Sequence, residues 1–206
     1  MEKKSFNELE TVEKDIITEL GNIGIGNAAT SMAAMLNSKL TIDFTKVLAL
    51  DFDEIANMMG GPEALTVGVL SLFEGDAEGM FLFVLQKSQA DNLINMLLKT
   101  AGPIDFYDHI HFSAIKEIGN IIEGTYLTAL EGLTGLSLKL SPPQVCIDMA
   151  GAILSVPVIE FGQTGDKGFL VESGFKDVEQ DIDGRLLMVS SVDSYQKMCN
   201  VLKLKM

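Results

Sequence analysis

Between residues 9 and 36 apolar side chains return every three or four positions, through ETVEKDIITELGNIGIGNAATSMAAML, as they do on a helix with one buried stripe. LTIDFTKVLAL at 40–50 instead alternates polar and apolar residues, the mark of a half-buried strand. A short helical or irregular connection fits 52–60. Two apolar runs at 66–74 and 78–86, separated by the acidic turn FEGDAEG, predict a hairpin. An amphipathic helix over 88–99 closes the series. Asn7, with Glu10 three residues on, predicts a capping box for the opening helix. Gly102 and Pro103 in KTAGPIDFYDHIH then break the helical pattern and mark a boundary.

Beyond that boundary the pattern starts again. DIITELGNIGIGNAAT at 15–30 aligns without a gap with SAIKEIGNIIEGTYLT at 113–128. Glu19/Glu117, Gly21/Gly119, Asn22/Asn120, Ile23/Ile121, Gly26/Gly124 and Thr30/Thr128 are identical pairs, and the register runs on to Val47 and Val145. The halves also end alike, GMFLFVLQKSQADNLINMLL at 79–98 resembling GRLLMVSSVDSYQKMCNVLK at 184–203. The larger offset there predicts a lengthened loop in the turn-rich EFGQTGDKGFLVESGFKDVEQDIDG. Repeats this long are not solenoid units. They predict an α+β fold in which a duplicated unit forms a pseudo-two-fold pair, with a largely antiparallel sheet covered by helices. Residues 1–206 then make a single domain of two homologous halves, about 1–102 and 103–206.

Composition narrows the partners. Apolar residues make up 47% of the chain, enough for an aliphatic core. A formal charge of −14 repels phosphate backbones and anionic lipid, which argues against nucleic acid and membrane surfaces. The polar start MEKKSFNELE has no apolar signal core, and the longest apolar run, near MAGAILSVPVI, is short of the roughly 20 residues that span a bilayer. Cys146 and Cys199 sit in the apolar contexts QVCIDM and KMCNVL, outside any metal-ligand spacing, and read as buried small hydrophobes. A soluble cytoplasmic protein without membrane insertion is expected.

The glycines of the first helix invite a nucleotide loop, and the order is wrong for one. A dinucleotide fingerprint needs G-x-G-x-x-G directly after a strand, and a Walker loop needs Gly-Lys-Ser/Thr. Here G-x-x-G-x-G follows a helical pattern, with no lysine after it. At 100° per residue Asp15, Glu19, Asn22, Gly26 and Thr30 fall within roughly 80° of arc. Ser113, Glu117, Asn120, Gly124 and Thr128 share the same arc in the second copy. The apolar stripe Ile16, Leu20, Ile23 (Ala114, Ile118, Ile121) lies beside it. Glycine inside a helix costs up to about 1 kcal/mol relative to Ala, so its retention on a polar face points to clearance for another molecule. Gly21 and Gly119 fit either that role or close helix packing. Asn cannot serve as a general base, but its carboxamide can accept from and donate to one water and so fix it for attack. Glu one turn earlier offers a charged acceptor for a partner's lysine. His109 and His111, near Asp105 and Asp108, could be imagined around a metal, but the segment reads as a turn or the start of a helix.

The motifs D-x-x-x-E-x-x-N at 15–22 and S-x-x-x-E-x-x-N at 113–120 resemble the paired signature of the CheC, CheX and FliY phosphatases of bacterial chemotaxis. That signature continues to a proline twenty-three residues past the Asn. The second copy meets it with Pro143, whereas the first has Thr45 there. Two centres with no further domain look like the CheC branch. The resemblance covers nearly the whole chain. It implies hydrolysis of the aspartyl phosphate of the response regulator CheY. Asn22 and Asn120 would align the attacking water, and Glu19 and Glu117 would engage the regulator's lysine. Asp15, Ser113, Gly26, Gly124 and Pro143 would flank the centres. The resemblance implies no cofactor or metal of the chain's own, the Mg²⁺ belonging to the regulator. It also implies binding of the receptor deamidase CheD, with Asp148 in VCIDMAGAIL as the candidate contact; a buried strand leading into a core helix is the other reading of that segment. The rival function is a non-catalytic adaptor that docks CheY or CheD.

Overall fold

A computed structural model describes residues 11–49, 53–162 and 169–203, so the Asn7–Glu10 capping box lies outside the described residues. In chain order the elements are α1 (Thr11–Leu36), β1 (Thr41–Ala49), α2 (Asp53–Met58), β2 (Leu65–Gly75), β3 (Gly79–Gln86) and α3 (Lys87–Leu98). There follow α4 (His109–Thr134), β4 (Leu138–Leu140), β5 (Gln144–Met149), α5 (Ala150–Gly162), β6 (Phe169–Asp177), β7 (Ile182–Ser190) and α6 (Val192–Lys203). The expected helices and strands of the first half all form, within a residue or two of the periodicity that predicted them. The α+β class with an antiparallel sheet is likewise what the chain adopts.

Seven strands make one sheet in the order β1-β6-β7-β3-β2-β4, with β5 also paired to β2. Every pairing is antiparallel. The order reads the same from either end once each first-half strand is exchanged for its second-half counterpart. The pairing also crosses between halves: β1 adds to β6, whereas β4 and β5 add to β2. Each half therefore lends its first strand to the other half's hairpin.

The central strands β3 and β7 are buried on both faces, which is why FLFVL and LLMV read as continuous apolar runs rather than alternating ones. Phe81, Phe83, Leu186 and Met188 point into the larger core, shared with α1, α3, α4 and α6. Leu82, Val84, Leu187 and Val189 point the other way, onto a smaller core completed by Ile55 and Met59 near α2 and by Ile153 and Leu154 of α5. The two long helices supply Ile17, Leu20, Ile25, Ala28 and Met32, and Ile115, Ile118, Ile122, Tyr126 and Leu130, at the spacing of one helical face. Asp108 starts α4 by accepting a hydrogen bond from the Ile110 N–H at 2.7 Å, and Gly135 ends it in the left-handed region at φ 75°.

Three expectations need correction. The added length expected as a loop within 160–184 is not all loop: that segment holds β6, the first hairpin strand that the repeat also predicts, paired with β1 and β7. Part of the added length lies instead in α5, 13 residues against 6 in α2. Cys199 is buried as expected, but Cys146 is exposed, because β5 is an edge strand rather than an interior one. The reading of VCIDM as a buried strand fails for the same reason.

Glycine spacing on the long helices now has a physical assignment. A Cβ on Gly119 would lie 2.4 Å from Val69 Cγ1, and one on Gly21 2.4 Å from Thr45 Cγ2. These two glycines bring helix against sheet. A Cβ on Gly124 would meet nothing within 4 Å. Gly119→Ala is therefore expected to destabilise the fold by about 1–3 kcal/mol through overpacking. Gly124→Ala is expected to stabilise it by up to about 1 kcal/mol through helix propensity. Urea midpoints that move in opposite directions check both.

Candidate active sites on two paired helices

Helix α4 carries the second centre at its exposed flank. Ser113, Glu117 and Asn120 are all exposed, one turn apart, while Ala114, Ile118 and Ile122 beside them are anchored in the core. The chain then returns through β4 to Pro142–Pro143, which separate β4 from β5 because proline cannot donate to a ladder. Ser141 fixes that break to β2: its Oγ accepts from the Leu72 N–H at 2.9 Å, and its own N–H donates to the Leu72 carbonyl at 2.8 Å. The result is an open depression of about 480 Å³ lined by Ser113, Lys116, Glu117 and Asn120 from α4 and by Leu140, Ser141, Pro142 and Pro143. Pro143, twenty-three residues from Asn120, thus comes back to it. Among the described residues no group hydrogen-bonds to the Asn120 carboxamide.

The first centre has the same frame and a different detail. Asp15 and Glu19 are exposed on α1, but Asn22 is only half-exposed. In place of a proline break, β1 continues with a register shift between Asp43 and Lys46. Thr45 sits in that irregularity, 5% exposed, and its backbone N–H donates to Asn22 Oδ1 at 2.9 Å. Its hydroxyl meets Ser173 Oγ at 2.8 Å. Gly26 has only Ile42 Cδ1 near it, 4.0 Å from an added Cβ, so both Gly26 and Gly124 leave open space one turn beyond the Asn.

The remaining sequence candidates lie elsewhere. Asp148 is exposed on β5, in register with Thr66, and its Oδ1 accepts from the Met149 N–H at 2.8 Å. It does not line the depression beside Asn120. His109 and His111 lie in the first turn of α4, where His111 Nδ1 meets the Asp105 carbonyl oxygen at 3.0 Å. Among the described residues no three His, Cys, Asp or Glu side chains converge as metal ligands would. No helix of the described residues is long and apolar enough to cross a membrane.

Two residues near the second centre escape a reading of the sequence. Lys116 borders the depression, but its counterpart in the first repeat is Thr18, so the repeat gives it no support. Glu123, one turn past Asn120 on the inner side of α4, is 0% exposed and receives a hydrogen bond from the Ser71 hydroxyl. Burial raises its carboxyl from the ordinary 4.5 to about 8, against smaller opposing pulls from Ser71 and the Phe83 backbone, so it is neutral at pH 7. The alignment held a signal for it: Glu123 stands opposite Ile25, a fully buried position.

Solved structures share this fold. The crystal structure of Thermotoga maritima FliY matches it with a TM-score of 0.69 at 24% identity, covering 96% of this chain and 99% of that one. The chemotaxis protein CheX of Desulfovibrio desulfuricans matches with a TM-score of 0.58 at 13% identity, covering 84% and 99%. The CheC-like family model matches residues 12–45 and 110–147, the two segments that hold the Glu–Asn pairs and positions 45 and 143. The CheY-P phosphatase CheC of Bacillus subtilis strain 168 is 35% identical over 201 residues, covering 94% of this chain and 95% of the relative. The chain belongs to the CheC-like family.

Proposed function

We propose that this chain is a hydrolase that removes the aspartyl phosphate of the response regulator CheY, using two centres built on Glu19–Asn22 and Glu117–Asn120. The observation that carries the reading is the duplicated face itself. On each long helix an acid, an amide and a clearance glycine share an accessible side, while the opposite side is locked into the core. The Bacillus subtilis relative, named as a CheY-P phosphatase, supports the same assignment.

In the reaction a water oxygen bonds to phosphorus as the P–O bond to the aspartyl group breaks; the regulator keeps the freed carboxylate, and inorganic phosphate departs carrying the water's oxygen and protons. Such a transfer depends chiefly on positioning and electrostatics. Asn22 or Asn120 enters the regulator's site and holds the water in line, accepting one of its protons in a hydrogen bond without removing it. Glu19 or Glu117 pairs with the regulator's lysine and sets the depth of insertion. Gly26 and Gly124 let the regulator's backbone approach the helix. The Mg²⁺ that offsets the phosphoryl charge is held by the regulator.

Asp148 and the exposed edge around it, with Ile147 36% and Met149 50% exposed, form the docking surface for CheD. The protein acts in the cytoplasm, where its regulator resides. The test is the decay of phosphorylated CheY with and without the chain. Acceleration at substoichiometric amounts of the chain is expected. A chain that binds the regulator but leaves its decay unchanged would be an adaptor instead.

A further inference from the structure

We infer that the Thr45 backbone is a positioning element that restrains Asn22 and makes the first centre the slower of the two. The inference rests on the phosphatase reading above. The two copies bring the same position, twenty-three residues past the Asn, back to the Asn's side of the helix, yet they treat it in opposite ways. Thr45 has an N–H, and that N–H is hydrogen-bonded to Asn22 Oδ1 at 2.9 Å. Pro143 has none, so the equivalent bond to Asn120 cannot form. The exposures follow the bonding, with Asn22 half-exposed and Asn120 exposed.

The bonded atom is the one that matters for the chemistry. Oδ1 is the carboxamide's only acceptor atom; the Thr45 N–H occupies one of its two lone pairs and holds the atom at the sheet, whereas a water held for attack needs it inside a partner's site. Thr45 is also firmly placed: it is 5% exposed, its hydroxyl meets Ser173 Oγ at 2.8 Å, and its side chain fills the space that Gly21 leaves open. The tether therefore points to a fixed part of the sheet rather than to a loose loop. To reach a phosphate on a partner, Asn22 gives up a hydrogen bond that Asn120 never had. One neutral hydrogen bond corresponds to roughly a three- to tenfold slower step.

The substitution that tests this is already present in the other copy. β1 is an edge strand, and position 45 falls in its irregularity with its N–H turned to the helix instead of to β6, so proline is tolerated there. In an Asn120→Ala background, where only the first centre works, Thr45→Pro is expected to raise kcat on phosphorylated CheY roughly three- to tenfold. KM should stay nearly constant, because the docking face is untouched. In an Asn22→Ala background, Pro143→Thr is expected to lower kcat by a similar factor. A merely structural role for Thr45 would move stability and leave this opposed pair of kcat changes unseen.

Amide exchange followed by NMR reads the tether without relying on either proline variant. Asn22→Ala should speed exchange at the Thr45 N–H, and Thr45→Val, which keeps the N–H, should retain slow exchange at that amide. Unaltered exchange in Asn22→Ala, or a folded Thr45→Pro chain with unchanged or lower kcat, would overturn the inference. A wild-type chain inert toward phosphorylated CheY would overturn the phosphatase reading itself. An active chain whose first centre ignores Thr45→Pro would overturn this inference alone.

Discussion

Replacing Asn22 and Asn120 together by Ala is expected to return the decay of phosphorylated CheY to the regulator's intrinsic rate, while binding of the regulator survives. The expected fall is about 10²-fold, the scale on which loss of reactant positioning acts. Binding survives because each Asn is one small contact on a face that still presents Glu19 or Glu117 and the clearance at Gly26 or Gly124. The single variants should differ, Asn120→Ala costing more than Asn22→Ala, since only Asn22 is held back by a backbone N–H. Phosphorylated CheY decay, measured beside a binding isotherm, separates the outcomes. A double variant as active as the wild type would remove the Asn mechanism.

Raising the pH from 5 to 9 should weaken the fold, and Glu123→Gln should abolish most of that dependence. The carboxyl is raised from 4.5 to about 8 in the folded state, chiefly by burial. Between those values the native chain holds a proton that the unfolded chain has released, so unfolding stability falls as pH rises. The contribution is complete below about 4.5 and gone above about 8, a difference of about 5 kcal/mol at 1.36 kcal/mol per unit. Glutamine keeps an acceptor for the Ser71 hydroxyl and does not titrate in this range. Urea unfolding of both chains across the pH range gives the comparison, and parallel curves would contradict it.

Much of the fold was legible because period and repetition are local properties. The 3.6-residue stripe of Ile17, Leu20 and Met32 and the double-sided apolar runs of β3 and β7 announce their own burial. Partner choice is not local. Nothing in LTIDFTKVLAL says that it pairs with β6 of the other half, and nothing in QVCIDM says that its strand lies at an edge. The polar letters of β6 have a related cause: Glu172 and Ser173 are buried by their own contacts, Glu172 with Arg185 of β7 at 3.3 Å and Ser173 with Thr45 of β1. At the site, the shared arc of Glu and Asn follows from helix geometry alone. The Asn22–Thr45 bond depends on a return of the chain that only the folded register supplies.

The crossed pairing of β1 with β6 and of β5 with β2 has a consequence for how such a chain can arise and persist. A polypeptide carrying one copy of the unit would have its first strand with no hairpin of its own to join, and its hairpin with a bare edge. Two such polypeptides trading strands would close the same sheet as a symmetric dimer, at a stability set by their concentration. Joining the copies through residues 99–108 makes that trade intramolecular and independent of dilution. It also lets the two copies differ, which a homodimer forbids, and proline at 143 against threonine at 45 is such a difference.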